Sequence, residues 1–167
     1  MLKTEALFIN GVYDTVLQEI LIVQAELPEH VMYLQPYSSR PIVKLKVSLP
    51  TPESPVRLYL STTEDFASVR YEAEVIGWED KTDLPPARHA ALKHVIKALQ
   101  PGEEGGLYDA AKGGDGKSVN LLHIRRLRKL TEPFRVSRLI KISDGEPMSE
   151  NRTTAGGYSY VTLAAQP

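Results

Sequence analysis

Two neighbouring stretches in which apolar and polar residues alternate constrain this chain more than any other feature. Residues 56–61 read VRLYLS, and residues 69–75 read VRYEAEV. An apolar residue at every second position is typical of a half-buried β-strand. Residues 61–65 between them carry short polar side chains, which favour a turn. The pattern predicts a β-hairpin, and because two strands cannot bury an apolar face alone, the rest of the chain must wrap around it.

The alternation changes phase near the end of the second strand. After Val75 the large side chains are Ile76 and Trp78, with Gly77 between them. A glycine at such a slip indicates a β-bulge that re-aims a side chain. We therefore expect Trp78, the single tryptophan, to lie at a bend and to form one wall of a site. The alternative is a core position, since burial of an indole stabilises a small domain.

The remaining periodicity predicts two main helices and several further strands. Apolar residues recur at helical spacing from Val12 towards Pro28, and again from Leu84 to Leu99. Further strands are predicted at residues 4–9, 31–35, 42–49, 119–130 and 158–163. The sequence Thr131-Glu132-Pro133 is expected to end the strand that begins at residue 119. Residues 101–118 are rich in glycine and charge, which predicts a mobile surface loop.

The order of these elements indicates the class of fold. The 167 residues are most simply one domain, residues 1–167. Strands and helices do not alternate as they do in a doubly wound parallel sheet. We predict an α+β fold, a small mixed β-barrel of six or seven strands flanked by two main helices.

Composition excludes several kinds of chemistry. The chain has no cysteine, so it has no disulfide, thiol nucleophile or cysteine-ligated metal. Its four histidines do not cluster in the sequence, so we expect neither a metal site nor a cofactor, and we assign no catalytic residue. No charged-then-apolar signal pattern or membrane-length apolar run occurs, so we expect a cytoplasmic protein with no membrane partner.

Positive charge is concentrated late in the chain. Residues 121–141 carry seven Lys or Arg against one acidic residue, while the whole chain has a formal net charge of −1. Such asymmetry points to a polyanionic partner. The alternative is a solvated strand and loop face. Glu72 and Glu74, on the second strand of the hairpin, are likewise expected to face solvent.

The central stretch resembles the core of the PUA-like superfamily, which includes the PUA, ASCH, EVE and YTH domains. A strand that ends in small polar residues, Leu58-Tyr59-Leu60-Ser61, leads into a second strand, Ala73-Glu74-Val75-Ile76-Gly77-Trp78. The late basic stretch LLHIRRLRKLTEPFRV is similar to the strand and proline-containing turn that precede the last strand of EVE and ASCH domains. The resemblance implies a PUA-like barrel that binds DNA or RNA and reads a modified base flipped into a pocket, as EVE-like members do.

The residue types suit that function. An extruded base needs an aromatic surface to stack on and polar groups for its Watson–Crick edge, while cationic side chains hold phosphates. The candidate pocket residues are Trp78, Tyr37, Ser38, Ser39, Ser61, Thr62 and Asp80. The candidate backbone-binding residues are Arg40, Arg125, Arg126, Arg128, Lys129 and Arg152.

Two other functions remain open at this point. One is an ASCH-like hydrolase of a modified nucleoside, which needs a lysine and a carboxylate within hydrogen-bond reach. Lys81 with Asp80 or Glu74 are the candidates near Trp78. The other is a non-catalytic domain that uses the basic stretch, residues 121–141, to bind an acidic protein.

Overall fold

The computed structural model describes residues 5–36, 50–81, 84–101, 120–151 and 157–164. These residues form two α-helices and seven β-strands. In chain order the elements are β1 (Glu5–Val12), α1 (Asp14–Glu26), β2 (Met32–Leu34), β3 (Val56–Thr62), β4 (Ser68–Asp80), α2 (Pro86–Leu99), β5 (Asn120–Arg135), β6 (Leu139–Lys141) and β7 (Tyr158–Leu163). A short 3-10 helix, Val136–Arg138, joins β5 to β6.

The seven strands belong to one mixed sheet in the order β2-β5-β4-β3-β1-β7-β6. Strands β1 and β3 run parallel, and the other neighbouring pairs are antiparallel. The predicted α+β class is therefore confirmed. Among the described residues the sheet is not closed, because the outer strands β2 and β6 do not pair with each other. The predicted barrel is not confirmed.

The predicted hairpin is present as β3 and β4. Leu58 lies opposite Ala73 and Leu60 lies opposite Tyr71, and all four are fully buried. Directly opposed residues share one side of a sheet, so these positions form a continuous apolar surface. The predicted bulge is also confirmed, because the register between β4 and β5 shifts between Val75 and Gly77.

The two sides of the sheet are covered differently. On the side that we call inner, α1 packs Leu17 and Ile20 against apolar residues of β1, β3, β4 and β5. The outer side carries two separate clusters. One forms where β1 and β7 meet the chain after β5, around Phe8 and Leu139, and the other forms where α2 packs Leu92 against β5. The outer side of β3 and β4 between these clusters is occupied by charged side chains.

Strand β5 is longer than the sequence predicts. It does not end at Thr131-Glu132-Pro133 but continues to Arg135. Its far end pairs with the start of β4, where Val69 lies opposite Phe134. Strand β2 pairs only with Leu122–Ile124, so Pro133 lies where β5 has a single strand neighbour among the described residues. A proline is tolerated there because no second ladder needs its missing N–H.

Two sequence predictions lie outside the described residues. They are the strand at residues 42–49 and, apart from Pro101, the glycine-rich loop at residues 101–118. Among the helices that are described, neither has the length and apolar character needed to cross a membrane.

Candidate functional site

The structure divides the predicted pocket residues among separate places. Trp78, Ser61, Thr62 and Asp80 are described, whereas Tyr37, Ser38, Ser39, Arg40 and Arg152 lie outside the described residues. Trp78 and Asp80 point to the inner side at the end of β4, opposite Leu122 and Asn120. Ser61 and Thr62 lie at the far end of β3. The length of the hairpin therefore separates Ser61 and Thr62 from Trp78.

Trp78 is packed into the core, with 9% of its surface exposed. Its ring meets that of Tyr160 edge to face, with the centroids 6.4 Å apart. Such pairs stabilise a core beyond the area they bury. The indole Nε1 and the Tyr160 hydroxyl are nevertheless both buried, and neither has a hydrogen-bond partner among the described residues. Trp78 thus has a structural role and also carries one unused donor.

Ser61 and Thr62 are fully buried at the carboxyl ends of the parallel strands. The Ser61 hydroxyl accepts a hydrogen bond from the backbone N–H of Gly11 at 2.9 Å and donates to Asn10 Oδ1 at 3.3 Å. Gly11 has a φ of 68°, which glycine adopts without strain. Ser61 therefore fastens the end of β1 to the end of β3, and its hydroxyl is occupied by that role.

The predicted basic residues Arg125, Arg126 and Arg128 form a surface on the outer side of the sheet. Arg57 on β3 joins them, and two glutamates of β4 lie beneath them. We call these six side chains the arginine face: Arg57, Arg125, Arg126, Arg128, Glu72 and Glu74. Four guanidinium groups share two carboxylates, so the surface keeps two positive charges in excess.

The carboxylates of the arginine face are buried beneath the cations. The Glu72 and Glu74 side chains are only 11% and 12% exposed, whereas Arg126 and Arg128 are 72% and 62% exposed. The expectation that both glutamates face solvent is therefore wrong. Arginines from the neighbouring strands β3 and β5 cover the carboxylates. The sequence alone does not predict this burial, because it depends on which strands are neighbours and on their register.

Each carboxylate binds two arginines. Glu72 accepts a hydrogen bond from Nε of Arg128 and forms an ion pair with its Nη2, and Nη1 of Arg57 lies 3.4 Å from Glu72. Glu74 accepts from Nη1 of Arg126 at 2.8 Å, and Nε of Arg125 lies 3.5 Å from its second oxygen. A carboxylate that holds a guanidinium limits its rotamers, so the outward N–H groups keep defined directions.

Lys129 does not join the arginine face. It lies opposite Tyr71 in the β4–β5 register, while Arg128 lies opposite Glu72. Opposed residues share a side of the sheet. Lys129 therefore points to the inner side, where it is exposed. Of the four cations between residues 125 and 129, the strand therefore places three on the outer side of the sheet and Lys129 on the inner side.

A second charged cluster, which sequence reasoning missed, joins α2 to the outer side of the sheet. Both oxygens of Glu79 accept from Arg88 at 2.9 Å, and one also contacts Nε2 of His123 at 2.6 Å. The ring of Tyr33 meets that of His123 edge to face at 5.4 Å. The hydrogen bonds from Arg88, reinforced by His123, hold the pKa of the Glu79 carboxyl below its ordinary value. The cluster docks α2 onto β4 and β5.

Two residues of the predicted hydrolase alternative, Lys81 and Glu74, bind different partners. The Lys81 ammonium is buried and donates to Gln35 Oε1 at 2.6 Å. Glu74 binds Arg125 and Arg126, so these two candidates do not form a pair. Within the described ranges, no three His, Asp or Glu side chains lie close enough together to hold a metal ion.

Comparison with known proteins gives no relative for this geometry. No protein-family model matches the chain, and neither the curated proteins nor the solved structures that were compared with it contain a match.

Proposed function

We propose that this protein is a nucleic-acid-binding module that holds the phosphate backbone on its arginine face. The observation that supports the proposal is the presentation of four guanidinium groups on two buried carboxylates. Arginine forms forked, charge-assisted hydrogen bonds with phosphate oxygens. Such contacts supply affinity and position the ligand, but they do not read its sequence.

The buried carboxylates suit this role. A free arginine loses side-chain entropy when it is immobilised on a ligand. Here Glu72 and Glu74 already restrain the guanidiniums, so less entropy remains to be lost on binding. The excess of two positive charges still attracts a polyanion. A row of cations on a sheet, with no deep cleft required, fits an extended chain of phosphates better than a small molecule.

A PUA-like barrel is the finer fold that we propose. Trp78 lies on β4 and Tyr160 on β7, and β3 and β1 lie between these strands in the sheet. Their rings nevertheless touch on the inner side. The sheet must therefore curl strongly towards that side, as the wall of a small barrel does. This curvature supports the resemblance of the hairpin to the PUA-like superfamily.

The unpartnered donor of Trp78 favours a second binding element, a pocket for an unstacked base. A buried N–H without an acceptor costs free energy that a ligand carbonyl or ring nitrogen can recover. Trp78 faces the inner side and the arginine face lies on the outer side. A strand bound to both must therefore pass around the end of β4, near Asp80.

Fluorescence anisotropy with short labelled oligonucleotides tests the proposal. Single and double strands, plain and with methylated or hydroxymethylated bases, are titrated at several salt concentrations. With four phosphate contacts on a duplex, the slope of log K against log salt is about −3 to −4, roughly 0.9 per contact. Absence of binding at low salt contradicts the proposal and favours an acidic protein partner.

The pocket is tested separately by Trp78→Phe, which keeps an aromatic core residue but removes the indole N–H. Loss of preference for one modified base, with unchanged binding of plain strands, supports a base pocket. Equal affinity of both proteins for every base leaves the arginine face as the whole binding site.

A further inference from the structure

Arg126 has a backbone conformation that its residue type disfavours. Its φ is 55°, and it is the one non-glycine residue with positive φ in the described part of the chain. The left-handed region is costly for a residue with a Cβ atom, and chains retain it mainly where the surroundings or a function require it. This strained residue lies inside β5, where an extended residue would keep the hydrogen bonds with β4 regular.

The conformation changes which way the side chain points. Successive residues of a strand normally face opposite sides of the sheet. The β4–β5 register shifts between Glu72 and Glu74, which are paired with Arg128 and Arg125, so β5 contains a bulge at Arg126. As a result Arg125 and Arg126, although adjacent in the chain, both contact Glu74. In a regular strand these two consecutive side chains would point to opposite sides of the sheet.

The bulge leaves hydrogen-bond donors unused. Among the described residues Arg126 donates to Glu74 only through Nη1, so Nε and Nη2 remain on a side chain that is largely exposed. Arg125 donates through Nη2 to the carbonyl of Pro52 at 2.9 Å. Its Nε–H is buried and has no hydrogen-bond acceptor within the described ranges, since the contact with Glu74 lacks hydrogen-bond geometry. An anion with several acceptor oxygens matches the exposed donors of Arg126.

We propose that Arg126 is a phosphate-binding residue and that the β5 bulge is kept because it brings this guanidinium beside Arg125 over Glu74. The inference rests on the proposed function, and it names the residue and the ligand group, a backbone phosphodiester. Glu74 restrains the two guanidinium groups through its contacts with them. The phosphate oxygens then bind the N–H groups that point outward. Stability is given up at this position in exchange for binding.

Two substitutions separate strain from binding. Arg126→Ala and Arg126→Gly both remove the guanidinium and its ion pair, but only glycine adopts positive φ without strain. We expect the glycine variant to melt about 2–4 °C above the alanine variant. We expect both to bind a short labelled single-stranded DNA about ten-fold more weakly than the unmodified protein at low salt. Their salt slope should fall by about one.

Lys97→Ala provides the charge-matched control. Lys97 is exposed on α2, and its removal changes net charge by the same amount. We expect this variant to bind almost as the unmodified protein does. If the unmodified protein does not bind DNA at low salt, both the proposed function and this inference are wrong. If it binds and the Arg126 variants match Lys97→Ala, only the role of Arg126 is refuted. Equal melting temperatures for the glycine and alanine variants would show that the positive φ of Arg126 is not strained.

Discussion

The hydroxyl groups of Tyr71 and Tyr160 are both buried, but their surroundings differ. The Tyr71 hydroxyl donates to Asp14 Oδ1 at 3.0 Å and accepts from Gln18 Nε2 at 2.9 Å, which ties β4 to the first turns of α1. Burial, together with the neighbouring Asp14, raises the pKa of the Tyr71 phenol, so it remains a donor at neutral pH. The Tyr160 hydroxyl, in contrast, has no hydrogen-bond partner in the part of the chain that is described.

We therefore expect removal of the Tyr71 hydroxyl and removal of the Tyr160 hydroxyl to change the stability of the fold differently. Tyr71→Phe leaves Asp14 and Gln18 without their partner, and we expect it to lower the free energy of unfolding by about 1–2 kcal/mol. Tyr160→Phe removes a buried unsatisfied group, and we expect no loss or a small gain in stability. Urea unfolding of the two variants makes the comparison. A larger loss for Tyr160→Phe contradicts the contacts described.

At the scale of secondary-structure elements, the glycine of the β4 bulge and the α2 docking cluster depend on each other. The ring of His123 lies over Gly77, and a Cβ atom added there would sit 2.9 Å from His123 Nδ1. His123 cannot move away freely because Nε2 contacts Glu79, which Arg88 also holds. Gly77 is thus required by a close approach of a side chain.

Gly77→Ala should displace the His123 ring and weaken the contact with Glu79. We expect a loss of about 1–3 kcal/mol in the free energy of unfolding, as for other overpacked sites. In a His123→Ala background the same substitution should cost much less, since the clashing ring is gone. A double-mutant cycle measures this coupling, and additive effects of the two substitutions would contradict the close packing.

The end of β5 is tied to the chain after β6 by Glu150. Its carboxylate accepts from Nε and Nη2 of Arg135 at 3.0 and 2.7 Å and from the Ser137 hydroxyl at 2.7 Å. These bonds lower the pKa of Glu150 from 4.5 to about 2. A depressed carboxyl pKa adds stability above the unfolded value, and this stability is lost as pH falls through the folded value.

We therefore expect the stability supplied by Glu150 to disappear between pH 4.5 and about 2. Glu150→Gln should lower the melting temperature at pH 7 and have little effect near pH 2. Glu132→Gln serves as the control, because Glu132 is exposed on β5 with no ion pair among the described residues. Thermal melts across this pH range make the test, and parallel curves for the two variants would argue against the ion pair.

Local sequence patterns predict the helices and strands of this fold but not the surfaces that they create together. Period-two alternation is enough to find β3 and β4, and helical spacing is enough to find α1 and α2, because each pattern reflects one buried side. The arginine face depends on which strands become neighbours. Arg57 and Arg128 are far apart in the chain, and both reach Glu72 only because β4 lies between β3 and β5.

The misplaced predictions have the same origin. Lys129 follows Arg128 in the basic stretch, yet the register places it on the other side of the sheet. Ser61 and Trp78 both belong to the hairpin, yet they lie at its opposite ends. The positive φ of Arg126 has no local sequence signal, since a glycine or asparagine is the residue type that normally marks such a conformation.

NMR of arginine Nε–H groups measures whether nucleic acid binds the arginine face, as we propose. A short single-stranded DNA is titrated into labelled protein at low salt, with signals assigned from single arginine-to-lysine variants. The Nε–H signals of Arg57, Arg126 and Arg128 should shift together. Those of Arg88 on α2 and Arg135 at the end of β5, held by Glu79 and Glu150, should stay in place. Unchanged signals from the arginine face, despite binding, would contradict the account.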